Sequence, residues 1–222
     1  MELSIDTASE LASIALSREG AVVAERSWRC RRNHTQELLP AIDELLTKIG
    51  VATRDLTAVF VSVGPGMYTG LRVGVSVGKG LARALGLPMV AIGRLALDAY
   101  PHRDFGGDVV AIHRAGRGDL AWAAYRGEPP REVIAPQLST VVEMAGAVSE
   151  PTLFVGEVDE ELRATLKREL GGMALFAPES EVGRAASLAV MGYERLAAGD
   201  AEEAALVRPV YLRPPVIGTQ ST

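Results

Sequence analysis

Over the first twenty-eight residues, apolar and polar positions follow a short period that predicts three strands: Leu3 to Asp6, Ala12 to Ser17 and Ala21 to Trp28. A Glu19-Gly20 turn joins the last two, giving an antiparallel meander. From Thr35 the period lengthens. Leu38, Leu39, Ile42, Leu45, Leu46 and Ile49 fall at the spacing of an amphipathic helix closed by Gly50. Pro40 lies about one turn in, so regular helix is expected to begin near Leu38 or Leu39. A continuous apolar run from Ala58 to Val63 predicts a buried strand. Gly64-Pro65-Gly66 follows, then a helix from about Thr69 to Leu85 and a strand from Met89 to Ile92, an order that implies a right-handed parallel crossover. A short helix runs from Arg94 to Tyr100.

Beyond Phe105-Gly106-Gly107 the same grammar restarts. Strands are predicted at Asp108 to His113, Leu120 to Arg126 and Thr152 to Val155, and helices at Asp159 to Leu170 and Arg184 to Ala198. The chain therefore divides into a lobe of residues 1–105 and a lobe of residues 106–222, with the last helix open to either. Pro214-Pro215 and the stretch from Gly218 to Thr222 read as a frayed tail.

Composition supports this reading. The 222 residues are 48% hydrophobic and 23% charged, enough to fill the core of one large domain or two lobes and too apolar for a disordered chain. No apolar run reaches the length of a membrane helix, and the start Met1-Glu2-Leu3-Ser4-Ile5-Asp6 lacks the pattern of a secretory signal, so a soluble cytoplasmic protein is expected. Cys30 is the only cysteine, which excludes an internal disulfide, a thiolate zinc cluster and a Cys-x-x-Cys pair, and it reads as an ordinary free thiol. The net charge of −5 argues against a general polyanion binder. Arg26, Arg29, Arg31 and Arg32 nevertheless bunch together, as a solvated loop or a contact for RNA phosphate.

Three features bear on chemistry. Ile5-Asp6-Thr7-Ala8-Ser9 ends the first strand where acidic-hairpin phosphotransferases carry Asp-x-Gly-Thr, with an Asp that orients a hydrated metal. Ala8 replaces the glycine, and a simple capped turn is the stronger reading of Asp6, Thr7 and Ser9. The glycine-rich segment from Gly64 to Gly78 is neither a P-loop nor a dinucleotide fingerprint. Its helix carries Gly70, Gly74 and Gly78 on one row, which predicts that another backbone packs close, either this chain's own sheet or a second subunit. Finally, His34, His102 and His113 form no His-x-x-x-His or His-Glu-x-x-His pair, and no Gly-x-Ser-x-Gly elbow is present, so metal or serine hydrolase chemistry has little support. His34 reads as a structural or interface residue rather than a general base.

Together, Ile5 to Ser9, His34-Thr35-Gln36-Glu37-Leu38-Leu39-Pro40, Gly64 to Gly74 and the ending Pro209-Val210-Tyr211-Leu212-Arg213 resemble the TsaB family, the bacterial partner subunits in making threonylcarbamoyladenosine in tRNA. The likeness is strong over residues 1–95, thinner to 205, and returns at the tail. It implies an α/β protein of the actin-like ATPase and sugar-kinase-like (ASKHA) fold, with two lobes. It also implies a non-catalytic scaffold that binds the catalytic subunit TsaD, with the ATPase TsaE and tRNA reached through the complex and a homodimer when alone. TsaD carries a metal-binding His-x-x-x-His where this chain reads Gly93-Arg94-Leu95-Ala96-Leu97-Asp98, and arginine does not coordinate a cation as imidazole does. The implied interface is His34, Leu38, Leu39, Ile42 and Leu45 on the first helix and Gly70, Arg72, Val73, Gly74, Val77 and Gly78 on the second. No cofactor or metal is expected, with weak ATP or ADP binding at Asp6, Thr7 and Ser9 as a residual possibility. The competing reading is a stand-alone enzyme, an ATP-dependent kinase or a glycoprotease-like hydrolase. Asp108 is a poor base for it, and Gly116-Arg117-Gly118-Asp119 only imitates a phosphate turn.

Overall fold

The computed structural model describes residues 1–30, 33–116, 118–178 and 183–213. Two five-stranded mixed sheets with the same connectivity organise it. The first contains β1 (Glu2–Asp6), β2 (Leu11–Arg18), β3 (Ala21–Arg29), β4 (Ala58–Gly64) and β5 (Met89–Gly93) in the order β3-β2-β1-β4-β5. The second contains β6 (Asp108–Arg114), β7 (Leu120–Arg126), β8 (Arg131–Ser139), β9 (Thr152–Gly156) and β10 (Ala174–Phe176) in the order β10-β9-β6-β7-β8. In each sheet the first strand pairs antiparallel with the second and parallel with the fourth. The central strands β1 and β4 are buried along their whole length, as a sheet covered on both faces requires.

Helices α1 (His34–Lys48) and α2 (Tyr68–Leu85) cover one face of the first sheet, where Leu38, Ile42, Leu45 and Val75 pack with Ile5, Leu16, Val61 and Met89. The opposite face is covered by α6 (Ala185–Ala197), late in the chain, whose Leu188 joins Phe60, Val90 and Leu97. Gly192 of α6 lies against the Phe60 ring, where an added Cβ would stand 2.4 Å from Cγ. Between the sheets lies α3 (Arg94–Ala99), which places Leu95 and Ala99 on the second sheet and Leu97 on the α6 side. In the second lobe, α5 (Glu160–Leu170) and the short α4 (Val141–Gly146) bury Leu162, Leu166 and Met144 with Val110, Ile112 and Phe154. The chain then straps back across the first lobe. Glu202 N–H donates to Met89 O at 2.7 Å, Val210 N–H to Val63 O at 2.7 Å, and Arg213 reaches Asp119 in the second lobe.

The structure departs from the sequence pattern in a few places. Helix α1 begins at His34, a turn before the expected start, because the amides of Gln36 and Glu37 both donate to Asn33 O. Pro40 is thus interior, and the ladder gives up one bond there. Strand β8 was hidden by Pro136. The ladder shifts register between Trp122 and Ala124, so the proline sits in an irregular stretch of an edge strand, where its missing N–H is tolerated. The six-residue α4 and three-residue β10 are too short to show a period. The frayed tail expected beyond Arg213 lies outside the described residues. No described helix is long and apolar enough to cross a membrane.

Candidate functional site

Two sequence features that read as separate prove to be two halves of one contact. The turn Asp6 to Ser9, which follows β1, lies against the first half of α2. Thr7 Oγ1 donates to Gly70 O at 2.8 Å, and Met67 N–H donates to Ala8 O at 2.8 Å. A Cβ on Gly66 would meet Ala8 O at 2.3 Å, one on Gly70 would meet Thr7 O at 2.2 Å, and one on Gly74 would meet Thr7 Oγ1 at 2.2 Å. One turn further on, a Cβ on Gly78 would meet Val61 Cγ1 at 2.6 Å. Glycine is required on this row because the chain's own turn and sheet fill the space. Gly70, Gly74 and Gly78 are accordingly buried within this chain. His34 is buried beside them, with Nε2 donating to Ser9 O at 3.3 Å and Nδ1 without a partner among the described residues.

The implied interface therefore divides by exposure. Leu38, Ile42 and Leu45 lie inside the first core with the glycines and His34. Leu39 is 53% exposed, Arg72 is exposed, and Val73 and Val77 are half-buried. The outward face of α2 also presents Ser76, Gly80 and Ala84, and Gly80 has open space where a Cβ would stand. That surface, not the glycine row, is the exposed part of α2.

Between the lobes lies a cleft of about 940 Å³, lined by Ser9, Met67, Asp98, Glu157, Arg163 and Arg184 among others. Ser9 lines it, Asp6 lies buried behind Arg184, and Thr7 is spent on α2. Asp6 is fully buried, its Oδ1 accepting from Ala8 N–H at 3.1 Å and its Oδ2 from Arg184 Nη1 at 3.0 Å. The same Nη1 donates to Ser9 Oγ at 3.1 Å, and Arg184 Nε donates to Asp98 Oδ1 at 2.5 Å. Asp98 lies 3.4 Å from Arg94 Nε, and Arg94 Nη2 donates to Glu157 Oε1 at 2.7 Å. His113 closes the series, its Nδ1 2.9 Å from Glu157 Oε2 and 2.8 Å from Arg94 Nη1. Alternating charges thus run from the end of β1, through the residue preceding α6 and through α3, to β6 and the residue following β9.

Burial disfavours the Arg184 charge, but the carboxylates of Asp98 and Asp6 outweigh it and raise the affinity of the guanidinium for its proton. Burial likewise pushes Glu157 up, yet the His113 hydrogen bond, the Arg94 charge and the Arg114 N–H together hold its carboxyl well below the usual carboxylate range. A carboxylate depressed in the folded state contributes stability above its unfolded pKa, about 4.3, and loses it as pH falls toward the folded value. The urea midpoint should therefore drop with acidification below that point, and Glu157→Gln should flatten the drop. An equal acid slope in the variant would show that other groups carry it. Burial and a hydrogen bond with Glu37 push the Cys30 thiol up to about 11, consistent with an unreactive side chain.

Other candidates fall away from the cleft. Asp108 accepts from Arg126 Nε at 2.7 Å at the start of β6 and does not line the cleft. Arg26 pairs with Glu44, Arg29 lines the cleft, and Arg31, Arg32 and Arg117 lie outside the described residues. No group of three or more His, Cys, Asp or Glu side chains among the described residues is arranged to hold a metal ion. Arg184 and Glu157 in the cleft, and His113 beside them, were not foreseen. They come from three distant elements and form no local motif.

Two sheets of identical order, flanked by helices and meeting at a cleft, define the actin-like ATPase and sugar-kinase fold. An activator of 2-hydroxyisocaproyl-CoA dehydratase from Clostridium difficile, solved with bound ADPNP, is similar over 89% of this chain and 96% of its own at a TM-score of 0.52 and 11% identity, which speaks to fold alone. A family model described as TsaD, tRNA N6-adenosine threonylcarbamoyltransferase, matches residues 11–181. The tRNA threonylcarbamoyladenosine biosynthesis protein TsaB of Bacillus subtilis is 32% identical over 202 residues, 88% of each chain. YeaZ from Pseudomonas aeruginosa superposes with a TM-score of 0.77 at 27% identity over 95% of this chain and 99% of its own. The chain belongs to the TsaB/YeaZ family of tRNA threonylcarbamoyladenosine biosynthesis proteins.

Proposed function

We propose that this chain is the non-catalytic subunit of the machinery that transfers threonylcarbamoyl to N6 of the adenosine adjacent to the anticodon, and that it acts by binding and supporting a TsaD catalytic subunit. The observation that carries the reading is the state of Asp6. Each of its oxygens accepts from a group of the same chain, Ala8 N–H and Arg184, so the residue that would orient a metal and phosphate in a related kinase is already neutralised by a buried guanidinium. Arg94, at the place of the first TsaD histidine, is likewise occupied with Glu157 and Asp98. Among the described residues, neither the kinase nor the hydrolase reading finds an assembled set of reacting groups.

What the chain offers instead is the outer face of α1 and α2. There Leu39 gives an exposed apolar anchor, Arg72 a cation packed over the Tyr68 ring, and Ser76 and Gly80 a low surface that admits a neighbouring helix at short range. The partner is TsaD, with TsaE and tRNA engaging the assembly, and the same face pairs two copies when TsaD is absent. Gly80→Arg tests this without touching the core. Light scattering behind size exclusion should give a one-to-one complex with the TsaD of the same organism for the unaltered chain. The variant, melting at no lower a temperature, should lose it. A folded Gly80→Arg protein that still binds fully would move the interface elsewhere.

A further inference from the structure

The cleft invites comparison with nucleotide-driven relatives of the fold, whose lobes close around a metal-bound phosphate chain. Here the space between the first strands of the two lobes is crossed by protein charges. Arg184 lines the cleft and Asp6 does not, so the guanidinium stands between the carboxylate and the cavity. It bonds at once to Asp6 Oδ2 and Ser9 Oγ, two of the groups a cation and phosphate would take at this turn, and to Asp98 of α3. From Asp98 the series passes through Arg94, which is 1% exposed, to Glu157 and His113 in the second lobe. Asp6–Arg184 lies within the first lobe and Arg94–Asp98 within α3. But Arg184 precedes α6 on the first sheet and α3 packs on the second, so the Arg184–Asp98 link crosses between the lobes and Arg94–Glu157 carries it on to the end of β9.

We infer that Arg184 is a built-in replacement for the bound cation and phosphate, and that the chain Asp6, Arg184, Asp98, Arg94, Glu157 holds the two lobes at one fixed angle without nucleotide. Metal-bound triphosphate has no access to Asp6 while Arg184 is in place, because the carboxylate would have to exchange a buried ion pair for the new ligand. The protein then presents its outer helices from a rigid frame rather than from lobes that open and close through a nucleotide cycle. This rests on the cleft alone and is independent of which partner binds α1 and α2.

Spin labels at Thr47→Cys on α1 and Ala164→Cys on α5, both exposed positions, report the distance between the lobes, and the buried Cys30 stays unlabelled. The unaltered cleft should give one narrow distance population that millimolar Mg·ATP leaves in place. Arg184→Gln should widen that distribution about twofold. Glu157→Gln, which cuts the series at its more exposed end, should widen it in the same sense and serves where Arg184→Gln does not fold. A population that shifts with Mg·ATP in the unaltered cleft, or folded variants with the original width, would overturn the inference.

Discussion

Gly74→Ala should destabilise the protein by about 2–3 kcal/mol and lower its melting temperature by roughly 5–10 °C, even though alanine is the better helix former. The reason is local. The new Cβ would fall 2.2 Å from Thr7 Oγ1, a buried hydroxyl already bonded to Gly70 O, so either the turn after β1 or the axis of α2 must move. Gly80→Ala, in the same helix, should do the reverse and stabilise by about 0.5–1 kcal/mol, because its Cβ enters open space and the unfolded chain loses freedom. Thermal melts of the two variants side by side separate the inner row from the outer face. Equal effects would contradict the placement of α2.

Arg184→Ala should be the most damaging single change in the cleft, at about 3–5 kcal/mol, because it leaves the fully buried Asp6 carboxylate without its counter-charge. Adding Asp6→Asn to that variant should recover part of the loss, since the stranded charge is then gone. A urea double-mutant cycle reads the coupling directly. Effects of the two substitutions that simply add would mean that the ion pair contributes nothing specific, and the series across the cleft would lose its first link.

How far the sequence reveals such features depends on how far apart the contacting residues lie. The meander, the crossover helix and the restart after Gly107 are local patterns, and the strands and long helices appear where periodicity puts them. Pro136 shows the limit of that reasoning, because proline argues against a strand unless one knows the strand lies at an edge. The spacing of Gly70, Gly74 and Gly78 correctly signals a close backbone, but a spacing within one helix does not name the neighbour, and Thr7 lies sixty-three residues from Gly70. The same holds for Leu38, Ile42 and Leu45. An amphipathic stripe marks a face that must be buried, and here the first sheet already buries it. The Asp6–Arg184 pair spans 178 residues and carries no motif at all, so the most informative contact in the cleft is legible only in three dimensions.

The central claim is that this chain performs no transfer itself and is required by a subunit that does. Threonylcarbamoyl transfer to tRNA should be assayed with the chain alone, with the TsaD of the same organism alone, and with the two mixed in the presence of TsaE. The account predicts sustained turnover only where both are present, and its loss when Gly80→Arg replaces the unaltered chain. Robust turnover by this chain without TsaD, or full activity of TsaD without this chain, would contradict it.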